Sequence, residues 1–273
     1  MPQRGILSEP GATPWKTVGR SHAAGIGLKP HAGMTCPFGA NTTLKNYLIK
    51  AVVEKPMFSK SAAFYDRIYG SFKNYEQECR DIHSWLEKEH ASAETILDVA
   101  CGTGEHAHLL RDLFEYKVDG LDLDADFIDI AQKKNPGETF CQGDMTDFTL
   151  EKKYDVVMCL FSSIGYVKTL ERAVATLQQF KNHLNDDGII IVEPWFQPGI
   201  LTPGKIFLNT VEEDDLSIIR MSYSRIEGRI STLHFEYLIG TTGSIEYEVE
   251  THELGLFTVE EMMECFDRVD LPV

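Results

Sequence analysis

The sequence predicts an α/β fold: a mostly parallel sheet with helices on both faces, joined to an antiparallel β layer. Three observations carry this. Between residues 61 and 193, short apolar segments alternate with segments of helical periodicity, the pattern of a parallel sheet. The segment 155–160 is a near-continuous apolar run, as expected of a strand buried on both faces. From 205 to 256 the pattern changes to period-two alternation, as in antiparallel strands with one face covered.

The elements follow in order. Phe64, Ile68, Cys79, Ile82 and Leu86 recur at helical spacing, giving one or two helices before the first strand. The first strand spans 96–100, and a helix from Glu105 places Leu109, Leu110 and Leu113 on one face. A second strand covers 117–121, and Asp124 is a good N-cap for a helix over 125–134. A short third strand lies at 139–141, and the fourth is the run 155–160. After Thr169 a helix aligns Ala173, Leu177, Phe180 and Leu184; Asp187-Gly188 then turns into a fifth strand, 189–193. The antiparallel layer has turn signals at Glu227-Gly228 and Thr242-Gly243 and is expected to cover the mouth of the sheet. Thr258 and Glu261 form a capping box for a last helix carrying Met262 and Phe266.

Composition narrows the functions available. With 273 residues and a hydrophobic fraction of 43%, the chain can build one sizeable domain with its own core. The formal charge of −16 argues against binding nucleic acid or an anionic membrane through bulk electrostatics. The longest purely apolar runs, such as 188–192, are far too short to span a bilayer. Six cysteines are scattered without a C-x-x-C pair, which fits reduced thiols in a cytoplasm. No His/Asp/Glu cluster has the spacing of a metal site. Residues before Met57 carry seven basic and two acidic residues, a balance of +5; the remainder carries 19 basic and 40 acidic, −21. Residues 1–56 lack periodicity and read as a disordered or non-native extension, with 57–273 as the functional domain.

In an open parallel sheet, ligands bind beyond the carboxyl ends of the strands. Here those ends hold Asp98, Asp122, Asp144, Phe161 and Glu193. Gly102 and Gly104 let backbone approach a ligand closely. Asp98 suits an ammonium, Asp122 a pair of ribose hydroxyls, and Asp144 with the Met145 backbone an adenine edge. Ala100 and Leu123 complete this expected cofactor set. The segment Gly102 to Ala107 also matches a dinucleotide-binding fingerprint. That fingerprint presents its helix N-terminus to a pyrophosphate, which Asp98 would repel. The cofactor inferred is therefore S-adenosylmethionine.

From about Ser61 to Phe266 the chain resembles the class I methyltransferases, with their Rossmann-like sheet. More narrowly, it resembles the N,N-dimethyltransferases that act on nucleotide-linked amino sugars. The shared stretches are Phe64-Tyr65-Asp66-Arg67-Ile68-Tyr69, 97–104, Gly143-Asp144-Met145, 161–165, Val192-Glu193-Pro194-Trp195, and Glu250-Thr251-His252 running into Leu256-Phe257. The resemblance implies methyl transfer to a primary and then a secondary amine of a sugar. It places Tyr69 and Tyr166 at the reacting centre, Tyr166 standing where the related sugar enzymes carry a histidine. Ser163, Glu193 and Trp195 are expected to contact the acceptor. Tyr65 reads as a helix-packing residue, His252 as structural, and His106 and His108 as facing solvent.

The resemblance departs at the C-terminus. Class I methyltransferases normally end with two further strands beside strand five; nothing after Phe266 supplies them, so strand five is expected to be an exposed apolar edge. Three readings stay open: an amino-sugar N-methyltransferase, another small-molecule N- or O-methyltransferase, and a truncated, non-catalytic cofactor-binding protein. A small-molecule acceptor is the expected partner, and a homodimer the expected assembly.

Overall fold

A computed structural model describes residues 4–7, 61–271 and 273 of the chain. Most of the expected extension, residues 8–56, lies outside the described residues. The elements are β1 (Arg4–Leu7), α1 (Tyr65–Gly70), α2 (Tyr75–Glu89), β2 (Thr95–Val99), α3 (Glu105–Phe114), β3 (Lys117–Asp122), α4 (Ala125–Lys134), β4 (Phe140–Gln142), β5 (Tyr154–Cys159), α5 (Leu170–Asn182), β6 (Leu184–Val192), β7 (Phe207–Glu213), β8 (Leu216–Glu227), β9 (Ile230–Thr241), β10 (Ser244–Gly255) and α6 (Val259–Asp267). The first sheet has the order β1-β6-β5-β2-β3-β4, and every pairing in it is parallel. The second runs β10-β9-β8-β7 and is wholly antiparallel.

Successive residues of a strand face opposite sides, so the apolar runs feed two cores at once. Leu97, Val157 and Ile190 meet α5 and α6 through Leu177, Phe180 and Phe266. Ile96, Val156 and Ile189 meet the other helical layer through Leu86, Leu110 and Ala131. The third cluster packs Ile218, Phe235 and Tyr237 of the antiparallel sheet against Ile68 of α1. Asp124 caps α4 by accepting from Asp126 and Phe127 N–H, and Thr258 and Glu261 make the capping box of α6, both as the sequence predicts.

Three expectations change. The Asp187-Gly188 turn is an irregularity inside one strand: β6 begins at Leu184, and its register against β5 shifts between Tyr154 and Val156. The edge of β6 is not bare, because β1 pairs with it in parallel, Gly5 opposite Ile190. Residues 4–7 are thus a strand rather than part of a structureless tail. The buried side of α3 holds His106, Ala107 and Leu110, while Leu113 is exposed. One helical turn separates His106 from Leu110, which puts both on one face.

Candidate active site

The chain runs from β2 outward to β4, then returns to lay β5 on the other side of β2. The strand order therefore reverses between β2 and β5, and a crevice opens there at the carboxyl ends. A small cavity at this point is lined by Tyr65, Tyr75, Asp98, Ala100, Cys101, Gly102, Thr103, Glu105, His106, Leu160, Phe161 and Ser163.

Asp98 is the central feature. It is 2% exposed, and its Oδ2 has no hydrogen-bond partner. Burial, and secondarily the nearby Asp122, push its carboxyl well above the ordinary range. A buried acceptor left in this condition is costly and is relieved by a cation or a strong donor. The turn beyond it is conformationally demanding: Ala100, Gly102 and Gly104 all have positive φ, at 61°, 53° and 72°. A Cβ on Gly102 would meet nothing within 4 Å, so the glycine faces open space; on Gly104 it would stand 2.7 Å from Asn135 Nδ2. Gly104 thus lets α3 approach α4, and Gly102 leaves room for a ligand.

Asp122 holds this turn in place. Its Oδ2 accepts from Gly102 N–H at 2.8 Å and its Oδ1 from Asp124 N–H at 2.9 Å. Each carboxylate oxygen has a second lone pair to offer. Burial raises the Asp122 pKa, against the pull of those two N–H donors. Asp66 ties α1 to the same turn by accepting from Thr103 Oγ and, at 2.6 Å, from Lys134 Nζ. This is how the Phe64-to-Tyr69 stretch brings Tyr65 onto the cavity wall.

The opposite wall is the turn after β5. Phe161 and Ser162 are successive non-glycine residues at positive φ, 51° and 62°, a strained arrangement that the surroundings must enforce. Phe161 N–H donates to Glu193 Oε2 at 2.7 Å, and Ser162 Oγ donates to Pro194 O at 3.2 Å. Glu193, expected to contact acceptor, is here the anchor of the Phe161 turn. Burial raises its pKa, with Lys73 opposing.

Of the expected cofactor residues, Asp98, Ala100, Gly102 and Phe161 line the cavity, as does Ser163 from the acceptor set. Gly104, Asp122, Leu123, Asp144 and Met145 are not on its wall. Asp144 Oδ1 accepts from Thr146 N–H and Oγ, both at 2.8 Å, and Oδ2 lies 3.4 Å from Arg172; these donors hold its pKa low against a partial desolvation. Met145 packs against the core, and Leu123 is 55% exposed.

Two expectations are corrected here. Tyr65 lines the cavity, its ring edge-on to Phe127 at 5.0 Å. His106 is 7% exposed and bonds Glu78 Oε2 at 2.9 Å. Glu78 also takes the Lys73 ammonium, which lies 4.3 Å from the Phe161 ring centre. Lys73, Tyr75 and His106 were missed because separate elements bring them together and no local spacing marks them.

Strand β10 packs against the segment 163–167 that follows the Phe161 turn. Tyr166 OH is hydrogen-bonded to His252 Nδ1 at 2.9 Å, and Tyr237 OH donates to Glu250 Oε2 at 3.0 Å. Burial pushes the Tyr166 phenol far above its ordinary value, so it remains neutral at physiological pH. The Tyr69 ring stands edge-on to Phe161 at 5.1 Å. Trp195 packs edge-on to Phe196 at 4.7 Å with its indole N–H buried and unpartnered.

A family model described as a methyltransferase domain matches residues 96–188. The chain is 37% identical over 214 residues to the dTDP-3-amino-3,6-dideoxy-alpha-D-glucopyranose N,N-dimethyltransferase of Streptomyces fradiae, covering 78% of this chain and 84% of that one. It is 34% identical to the dTDP-3-amino-3,4,6-trideoxy-alpha-D-glucopyranose N,N-dimethyltransferase of Streptomyces venezuelae, covering 78% and 90%. Among solved structures, Streptomyces venezuelae DesVI superposes with a TM-score of 0.73 at 32% identity, covering 77% of this chain and 89% of that one. The S-adenosylmethionine-bound amino pentose methyltransferase CalS10 from Micromonospora echinaspora gives 0.69 at 28% identity, covering 76% and 87%.

Proposed function

From the premise that this chain belongs to the S-adenosylmethionine-dependent amino-sugar N,N-dimethyltransferases, we propose that it methylates the amino group of a nucleotide-linked amino sugar, twice in succession. The buried, unpartnered Asp98 carboxylate at the end of β2 carries this reading. It calls for an ammonium and rejects a phosphate.

The residues present fit the cofactor. Asp98 would take the ammonium of its methionine part, and Gly102 leaves the space for its backbone. Asp122 would take ribose hydroxyls, with Leu123, Asp144 and Met145 further along the sheet edge toward the adenine. When bound, the cofactor supplies an electrophilic methyl group on a sulfonium.

The chain's own task is to present an uncharged amine in line with that methyl. An amine as basic as lysine costs about 4 to 5 kcal/mol to present neutral at pH 7, whereas orienting two bound reactants supplies about 7 to 11 kcal/mol. Positioning therefore suffices without a strong base. Tyr166, neutral and braced by His252, would orient the amine, and Tyr69 closes the site from α1. Glu193 acts by setting the Phe161 turn, and Trp195 offers its free indole N–H to the acceptor.

Among the described residues the five cysteines are free, which supports a reducing, cytoplasmic setting. The test is mass spectrometry of a dTDP-linked 3-amino sugar incubated with the protein and S-adenosylmethionine. Sequential mono- and dimethylated products are expected. A sugar left unchanged while the cofactor is bound would overturn the reading.

A further inference from the structure

Besides its carboxylate, S-adenosylmethionine carries two positive charges, an ammonium and a sulfonium, and the cavity has a carboxylate to spare for only one. The acidic side chains on its wall are Asp98 and Glu105. Asp98 is the partner of the ammonium. Glu105 is already engaged, its Oε2 accepting from Lys134 Nζ at 2.7 Å. Among the described residues of that wall, no uncommitted carboxylate remains for the sulfonium.

What the wall does offer is three aromatic side chains, Tyr65, Tyr75 and Phe161. Each is fixed by a ring beside it. Tyr65 stands 4.3 Å from Tyr69 and edge-on to Phe127 at 5.0 Å. Tyr69 in turn stands edge-on to Phe161 at 5.1 Å, and Tyr75 edge-on to His106 at 5.0 Å. Rings held in this way lose little freedom when a ligand arrives. Two of them already attract a cation: the Lys73 ammonium lies 4.3 Å from the centre of Phe161 and 4.8 Å from that of Tyr75. Glu78 neutralises that ammonium, so it does not charge the cavity against a second cation. Burial pushes both phenols far above their ordinary range, and Tyr65 and Tyr75 therefore present neutral rings. The attraction of such a ring for a cation is strongest where water is excluded, and Tyr75 and the neighbouring Asp98 are both buried.

We propose that Tyr65, Tyr75 and Phe161 form an aromatic cage for the sulfonium, which makes the protein favour S-adenosylmethionine over the thioether it leaves behind, S-adenosylhomocysteine. In the transfer the lone pair of the amine forms the new N–C bond, and the C–S pair returns to sulfur. The positive charge passes to the methylated amine, and the sulfur left between the rings is neutral. Asp98 meets the same ammonium before and after transfer. It sets the affinity for both forms, and the rings set the difference between them. This rests on the reading of the chain as an S-adenosylmethionine-dependent methyltransferase and adds how it tells fresh cofactor from spent.

The test is calorimetric titration with S-adenosylmethionine and with S-adenosylhomocysteine, on the wild-type protein, Tyr65→Leu, Tyr75→Leu and Tyr75→Phe. The wild type is expected to bind S-adenosylmethionine about 3- to 30-fold more tightly, the usual weight of a desolvated cation–ring contact. Both leucine variants should shrink that ratio, with S-adenosylhomocysteine binding as the folding control. Tyr75→Phe, which keeps the ring, should preserve it. Wild-type affinity for S-adenosylhomocysteine equal to or above that for S-adenosylmethionine overturns the proposal without recourse to any variant. So do leucine variants that weaken both ligands by the same factor, the result expected of rings that merely pack. Binding of neither ligand by the wild type would sink the cofactor reading itself, and the cage with it.

Discussion

Asp98 illustrates how a single carboxylate can be arranged for a ligand at the expense of the fold. Its folded-state pKa is raised by burial, so the folded chain binds a proton that the unfolded chain releases. Stability from this group is therefore lost as pH rises from the unfolded value through the folded one. Asp98→Asn removes that loss, and thermal melts near neutral pH should show the apo variant more stable than wild type. Ligand affinity moves oppositely: an ammonium favours ionised Asp98, so S-adenosylmethionine binding should strengthen as pH rises through the Asp98 pKa. In Asp98→Asn that slope should vanish. The two glycines separate the same two roles. Gly104→Ala collides with Asn135 and should cost about 1 to 3 kcal/mol of stability, the usual range for overpacking. Gly102→Ala meets open space at φ 53°; it should cost about 1 to 2 kcal/mol in backbone strain and mainly weaken cofactor binding, as paired melts and titrations would show.

At the level of elements, sequence reasoning succeeded where local chemistry is decisive. Asp124 as N-cap, the Thr258–Glu261 capping box and the two hairpin turns at Gly228 and Gly243 all stand as predicted. It failed where distant segments decide. The buried stripe of α3 includes His106 only because Glu78 of α2 meets it, and the cover over the β6 edge comes from residues 4–7, almost two hundred positions away. The parallel β1–β6 pairing has a direct consequence. Removing residues 1–7 should accelerate hydrogen exchange at β6 amides and promote association through the bared edge. Unchanged exchange between 189 and 192 would show that β1 gives the edge no protection.

For the whole molecule, the glycine turn and Asp98 beside the cavity were legible in the sequence, while the buried polar groups of the antiparallel sheet were not. They lie on its inward face, where period-two alternation reveals which residues point in but not what they meet. Arg220 and His252 are the clearest cases. The outward face of that sheet carries Ile219, Leu238 and Tyr247 in one row and Leu208 with Met221 in another, all exposed. Such a patch supports the expected homodimer; light scattering should show a dimer that Ile219→Lys or Leu238→Lys weakens, and a monomer at every concentration would count against it.

The most direct test of the site as a whole is calorimetric titration of the wild-type chain with S-adenosylmethionine and, separately, with NAD. The expected result is binding of S-adenosylmethionine alone, with the fold stabilised by about 2.7 kcal/mol at a hundredfold excess over the dissociation constant. Binding of NAD in its place would contradict the assignment of Asp98 to an ammonium, and binding of neither would leave that buried carboxylate without the ligand it calls for.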